Sequence, residues 1–369
     1  MEWTGWAPRI SLMMIQENVP LAPLTTLQVG GAARYFAELR READVREAAQ
    51  FAKIRDLPLF VLGRGSNLVV ADSGWPGLVL KITIGGITSP NTNDAAGNAV
   101  FFSVGAGVNW DDFVAQAVAQ NCAGVECLSG IPGSVGGTPV QNVGAYGQEV
   151  SDTIESVRAF DLKQDRVVVL PKPACGFHYR ASIFNSTERG RYIILRVNYR
   201  LKRGGAPSLQ YADLQKHFAE RKTQPLLAET SAAVREIRQS KGMLIVPGDD
   251  DCRSAGSFFK NPVLSEEQFK DLAERAASKG LEVPSYAAGQ SQSKDAQRKV
   301  SAAWLVEHSG FSKGYAAGAA GISHKHALAL INRGDAKASD IVGLKDQIQH
   351  GVQEAWGILL EPEPVFVGF

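Results

Sequence analysis

Between residues 129 and 147 the chain reads SGIPGSVGGTPVQNVGAYG, with glycines at 130, 133, 136, 137, 144 and 147. So many glycines in one span forfeit side-chain packing and cost backbone entropy. Flexibility alone is one explanation, but a flexible linker is polar. This stretch instead carries Ile131, Val135, Val140, Val143 and Tyr146. A backbone lying close against a large ligand accounts for both features, and the fold has to supply the surfaces that hold it there.

The surrounding pattern expects an α+β chain of two halves. In the first, short apolar runs at 57–63, 77–82, 99–107, 154–162, 166–170 and 192–201 read as strands separated by glycine turns. Helices are expected over 42–56 and after Asn109, where Trp110, Phe113, Val114, Ala117 and Val118 recur at spacings of three and four. Asn109 is the expected N-cap of that helix, followed by Asp111 and Asp112 in its first turn. The second half has helical periodicity over 230–239, 266–278, 300–309 and 339–356, and Ser265 with Gln268 fits a capping box. Residues 203–214 read as a joining loop, 285–299 as polar and irregular, and the first dozen residues carry no usable pattern. At 369 residues, more than one domain is expected.

Several segments carry chemistry. GRGSN (63–67) follows the strand expected at 57–63. Its two glycines allow a tight turn whose N–H groups converge on one oxyanion, although an ordinary strand-to-strand turn explains the motif equally well. It is no dinucleotide fingerprint, because a third glycine and a long helix are missing. In FHYRASIF (177–184), Arg180 sits among apolar neighbours, so its guanidinium needs an acidic partner or an anionic ligand. In SAGSFFKNP (254–262), Ser257 stands between glycine and two phenylalanines, at the edge of an apolar pocket or in a turn. LLEPEPVF (359–366) alternates Glu361 and Glu363 with prolines in an extended segment, either reaching a site or forming a solvated edge strand.

Composition narrows the functional classes. With 39 basic against 38 acidic residues, the net charge of +1 argues against a nucleic-acid partner. Cys122, Cys127, Cys175 and Cys252 have no zinc-like spacing and read as free thiols, and no metal is expected, the SHKH run at 323–326 included. No apolar run reaches the roughly 20 residues that span a bilayer, and the N-terminus lacks a signal-peptide pattern. A cytoplasmic protein with no membrane partner is expected.

Taken together, GRGSN, IPGSVGGTPVQNVGAYG, YRASIF, AGSFFKNP and LEPEPVF stand in the order and approximate spacing of one family. From about Asn18 to Phe369 the chain resembles the UDP-N-acetylenolpyruvoylglucosamine reductases, the MurB family. The resemblance implies an FAD-binding domain of the PCMH/VAO type over 21–202, after an N-terminal extension (1–20). A MurB-type α+β substrate-binding domain would occupy 203–369, with the last strands returning to the first domain. It implies an oxidoreductase that uses NADPH to reduce UDP-N-acetylglucosamine enolpyruvate to UDP-N-acetylmuramate in peptidoglycan precursor synthesis. FAD would be non-covalent, since no histidine precedes His178. Gly63, Arg64, Gly65, Ser66, Asn67, Gly133, Ser134 and Gly137 would hold it. Arg180, Ser257 and Glu363 would be catalytic, the serine as proton donor. Tyr211, Lys241, Asn261 and His326 would contact the substrate. A different flavin oxidoreductase of the same fold would leave the joint presence of Arg180, Ser257 and Glu363 unexplained, and a silent nucleotide-binding regulator would bind UDP-sugars while Ser257→Ala changed nothing measurable.

Overall fold

The computed structural model describes residues 13–89, 98–287 and 297–369. Two sheets build the first half. In one, Ala32–Leu39, Trp75–Ile82 and Leu59–Leu62 run parallel to one another, and Ile15–Pro20 lies antiparallel on the outer edge of Ala32–Leu39. The extension expected over 1–20 therefore ends in an edge strand of this sheet, and its first dozen residues lie outside the described ones.

The other sheet is antiparallel, with Arg166–Pro171, Ile154–Asp161, Tyr192–Arg203, Ala99–Gly105 and Ile87–Thr88 in that order. The helices Glu42–Ile54 and Trp110–Ala119 bury Val45, Ala48, Ala52, Phe113, Val114 and Ala117 in the core shared with these sheets. As the local pattern requires, Asn109 caps the second helix, its side-chain oxygen accepting from the Asp111 amide at 3.0 Å.

The second half has its own core, built on the long helix Ala338–Trp356. Ile341, Leu344, Ile348, Val352 and Trp356 form its buried stripe. The expected capping box is present, with Gln268 N–H donating to Ser265 Oγ and Ser265 N–H to Gln268 Oε1. A four-stranded sheet runs Ser254–Ser257, Ala329–Asn332, Ala320–Ile322, Ala316–Ala317. None of these strands carries a local signal strong enough to be expected from sequence.

Two expectations need correction. Residues 285–299 are not irregular throughout, because Ser285–Ala287 and Gln297–Val300 pair with each other and the latter also with Val263–Ser265. Residues 288–296 lie outside the described ones. The joining loop is shorter than 203–214: Arg203 still belongs to a strand, and a helix begins at Ala212. In both places long-range pairing or packing overrides a polar local sequence.

Strand pairing, a shared core and a small apolar cluster are among the ties between the halves. Val365–Val367 pairs in parallel with Leu68–Val70, so the last strand returns to the first half. Leu27, Val29 and Val69 contribute to the core of the second half. A small cluster of Cys127, Tyr146, Leu214, Ala233 and Val234 joins the glycine-rich segment to the helices after residue 211.

Candidate active site

The turn Gly63–Asn67 faces the middle of the glycine-rich segment, and the two touch. Ser66 Oγ donates to the Pro132 carbonyl at 2.9 Å. A Cβ on Gly63 would stand 2.6 Å from Ser134 Oγ, and one on Gly133 would stand 3.3 Å from Ser66 Oγ. Gly133 has φ +145° and Gly65 φ +67°, where a side chain would strain the backbone. A Cβ on Gly65 would lie 2.2 Å from the Leu24 carbonyl oxygen. Glycine is therefore required at Gly65 by close backbone approach and at Gly133 by its φ, reasons of conformation and space rather than of flexibility.

The segment is also anchored from behind, by Val135 N–H to the Val108 carbonyl and Gly136 N–H to that of Ala106, both at 2.9 Å. At its front, among the described residues, the N–H groups of Arg64, Gly65, Ser66 and Asn67 have no protein acceptor. Lys81, which sequence reasoning missed, donates from Nζ to the Gly63 carbonyl. Burial first, and then nearby Arg64, lowers its pKa. Two cations beside a row of convergent amides suit a diphosphate. The cradle lined by Gly63, Arg64, Gly65, Ser66, Gly133, Ser134 and Gly137 thus has the donors and charge that an anionic linker such as that of FAD requires. Asn67 differs: its Nδ2 donates to Gln141 Oε1 at 2.6 Å and the Glu363 carbonyl at 3.3 Å, leaving its backbone N–H as the donor for an anion.

Asn67 leads directly to the second feature. Through it the cradle touches the C-terminal segment, where Glu363 meets Arg180, Nε to Oε1 at 3.2 Å. Their side chains keep only 20% and 15% of their exposure. The expectation that Arg180 needs an acidic partner is met, by a residue far away in sequence. The contact is one of charge rather than a directed hydrogen bond, because the buried Nε–H has no well-aligned acceptor. Arg180 Nη2 donates to the Gly144 carbonyl at 2.9 Å.

The arginine is presented by a tight turn, closed by His178 and Ala181 bonding each other's backbones at 2.9 and 3.1 Å. At its apex Arg180 takes a left-handed φ of +54°, steadied by Asn185 Nδ2 donating to its carbonyl at 3.1 Å. A non-glycine residue in that region is strained unless its surroundings hold it there. Ser257 ends the strand Ser254–Ser257 and is half-buried. The next two side chains, Phe258 and Phe259, are buried and anchor the strand's end. Glu363 N–H donates to the Phe258 carbonyl at 2.9 Å, so the serine and glutamate segments run side by side. Arg180, Ser257 and Glu363 thus come from three separated segments to one junction beside the cradle.

A second group of charges lies around His326. Its Nδ1 accepts the Leu328 amide at 2.9 Å, which leaves the ring proton on Nε2. Burial first, then Lys241 and Lys313, pushes its pKa down to about 4. Lys241 Nζ pairs with Asp213 Oδ2 at 2.5 Å. Burial works against the charge of Lys241, but its bond and charge contact with Asp213 together prevail and raise its pKa. Tyr211, 43% exposed, meets Tyr146 edge-on at 5.2 Å between centroids. Arg238 stands one helical turn before Lys241 and is buried, with its Nε unpartnered. The spacing of three to Lys241 would have singled it out as sharing a helix face. Asn261 is apart from this group: its Oδ1 accepts the Ala302 amide at 2.9 Å and so holds the start of the helix Ala302–Glu307. Among the described residues, no group of three or more His, Cys, Asp or Glu side chains could hold a metal ion. No described helix is long and apolar enough to cross a membrane.

Known proteins place this architecture. Residues 33–170 match the FAD binding domain family, and residues 247–367 match the C-terminal domain of UDP-N-acetylenolpyruvoylglucosamine reductase. A curated UDP-N-acetylenolpyruvoylglucosamine reductase from Thermobifida fusca is 44% identical over 95% of this chain and 97% of its own length. Another, from Streptomyces coelicolor, is 42% identical over 98% of this chain and 93% of its own. The crystal structure of the enzyme from Thermus caldophilus superposes with a TM-score of 0.63 at 26% identity, covering 96% of this chain and 99% of that one. The chain, an FAD-binding half joined to that reductase C-terminal domain, belongs to the UDP-N-acetylenolpyruvoylglucosamine reductase family.

Proposed function

We propose that this protein oxidises NADPH and reduces UDP-N-acetylglucosamine enolpyruvate to UDP-N-acetylmuramate, a step of peptidoglycan precursor synthesis. Residues 21–202 form the FAD domain and 203–369 the substrate domain. The last strand returns to the former, and 1–20 contributes its edge strand. NADPH and nucleotide sugars are cytoplasmic metabolites, and the protein works there, with neither a nucleic-acid nor a membrane partner.

The observation that carries this reading is the junction of Arg180, Glu363 and Ser257 beside the cradle. When bound, FAD supplies the hydride relay between NADPH and the substrate's vinyl carbon. Reduction at the terminal carbon drives negative charge onto the α-carbon and the adjoining carboxylate. Arg180, largely enclosed and with an undirected Nε–H, provides fixed positive charge where that charge develops. Glu363 holds the guanidinium in place and faces the enol form of the intermediate. The Ser257 hydroxyl gives its proton to the α-carbon and regains one from solvent. A weak acid serves because the carbanion is a strong base. At the other end Tyr211, Lys241 and His326 take the nucleotide diphosphate and sugar. The free Nδ2 of Asn261 contacts the sugar side.

The test is anaerobic and visible by eye. The purified protein is expected to be yellow, to bleach with NADPH, and to regain its colour only when UDP-N-acetylglucosamine enolpyruvate is added. A protein that cannot be loaded with FAD, or that bleaches and is not recoloured by this substrate, overturns the reading.

A further inference from the structure

We propose that Lys299 is a second carboxylate-binding cation of the active site, acting beside Arg180 on the enolpyruvyl group; this rests on the function proposed above. Lys299 lies in the strand Gln297–Val300, opposite Val263 on one side and Tyr286 on the other. Its Nζ stands 3.5 Å from the centroid of the Tyr179 ring, and Tyr179 is the residue immediately before Arg180. The Arg180 guanidinium carbon is 5.5 Å from the same centroid. One aromatic ring therefore serves two cations.

What holds an ammonium decides whether its charge is available. A carboxylate partner offsets part of that charge and takes up N–H donors, as Asp213 does for Lys241 and Asp249 for Lys325. A ring face attracts the cation without cancelling its charge and leaves N–H donors free on the side away from the ring. Among the described residues, Lys299 Nζ has no hydrogen bond and no ion pair. Its charged neighbours are Arg180, Glu149 and Glu363. Burial first, and then Arg180, lowers its pKa. Two cations held close together in a half-buried place repel each other, and an anion between them relieves that repulsion.

The second charged group identifies which anion. Lys241, Lys313 and Arg238 gather around His326, close to Tyr146 and Tyr211. Apart from Arg64 and Lys81 in the cradle, the described residues around the candidate substrate site thus gather cations at two places, and the substrate has two anionic parts, a diphosphate and a carboxylate. The Lys299 cluster lies at the reacting junction, so the carboxylate is its partner. The expected geometry is a carboxylate bridging Arg180 and Lys299, with the ring of Tyr179 behind both.

The test compares two ligands that differ only by the enolpyruvyl group. UDP-N-acetylglucosamine and its enolpyruvyl ether are titrated into the FAD-loaded, oxidised protein and followed by the shift of the visible spectrum. Lys299→Met is expected to weaken binding of the ether ~10- to 100-fold and to leave UDP-N-acetylglucosamine within about twofold. Lys299→Arg recovers most of the loss. Tyr179→Leu, which removes the ring but keeps the lysine, is expected to show the same selectivity at smaller amplitude, and Tyr179→Phe to resemble wild type. If Lys299→Met does not fold, the tyrosine pair decides. Equal loss for both ligands, or no loss for either, overturns the proposal. A wild-type protein that binds neither ligand overturns the functional reading beneath it as well.

Discussion

The cradle at Gly63–Asn67 and Pro132–Gly137 and the junction of Arg180, Ser257 and Glu363 are neighbours built on opposite principles. The cradle is made of backbone: its groups are amides, its shape depends on missing side chains, and its two strips meet through Ser66 and Pro132. The junction is made of side chains, brought from three segments and held by charge contact and one aromatic ring. Backbone amides tolerate no added atoms and do not titrate, although the cations Arg64 and Lys81 stand beside them. A side-chain site tolerates rearrangement but depends on the identity and charge of each group. Substitutions should therefore fail in different ways in the two places.

The largest effect is expected in the cradle. Gly65→Ala forces a Cβ against the Leu24 carbonyl at a left-handed φ, and the expected outcome is a protein that retains no flavin and no turnover. Visible absorbance relative to protein absorbance measures it, and a yellow Gly65→Ala protein would refute the close-approach argument.

Next comes Ser257→Ala, in the junction. It is expected to keep its flavin and its reduction by NADPH while substrate turnover falls ~10²- to 10⁴-fold, the usual weight of a positioned proton donor. Stopped-flow measurement of the two half-reactions separates them; if both slow equally, the serine acts on structure rather than on chemistry. Arg180→Lys preserves charge but loses the planar fork that reaches Glu363 and the Gly144 carbonyl together. It should cost about tenfold to a hundredfold in kcat/KM with little change in flavin content.

Protonation separates the regions further. His326 has a pKa of about 4 in the fold against 6.5 when unperturbed, so the unfolded chain takes up a proton below about 6.5 while the folded one resists until about 4. Stability is thus expected to fall as pH drops through that window and to level off below it, by on the order of 3 kcal/mol. Chemical denaturation of His326→Gln against wild type at pH 7 and 4.5 reads the difference, and an equal loss of stability in the two proteins would refute it. The smallest effect belongs to Ser66→Ala, which removes one tether between the two strips of the cradle at a cost of about 1 kcal/mol. Fluorescence titration with FAD should show affinity a few-fold weaker, with an unchanged response to pH.

The helix Trp110–Ala119 and the helix after Ser265 were legible because their apolar spacing, caps and first-turn acids are all local. Residues 285–299 were misread because a short polar strand is stable only through its partners, and those partners are Val263–Ser265 and the other arm of its own strand pair. Lys81 carried no motif and emerged only once burial and neighbours were known, whereas Arg238 had a signal in its spacing of three to Lys241 that only burial made meaningful. Asn67 was legible as part of a turn, but its bonds to Gln141 and the Glu363 carbonyl were not.

By itself, then, the sequence determined that the glycine-rich segment lies close against something, where the helices after Asn109 and Ser265 begin, and that Arg180 needs an opposite charge. These are local matters, set by glycine's missing Cβ, by periodicity and by the cost of an unpaired buried cation. Only the tertiary structure decided that Glu363 is the partner, that Ser257 lies beside it, and that Tyr179 supports two cations. Apart from Tyr179 with its neighbour Arg180, those pairings join residues more than a hundred positions apart, and nothing local distinguishes one distant partner from another until the cores of both halves have closed.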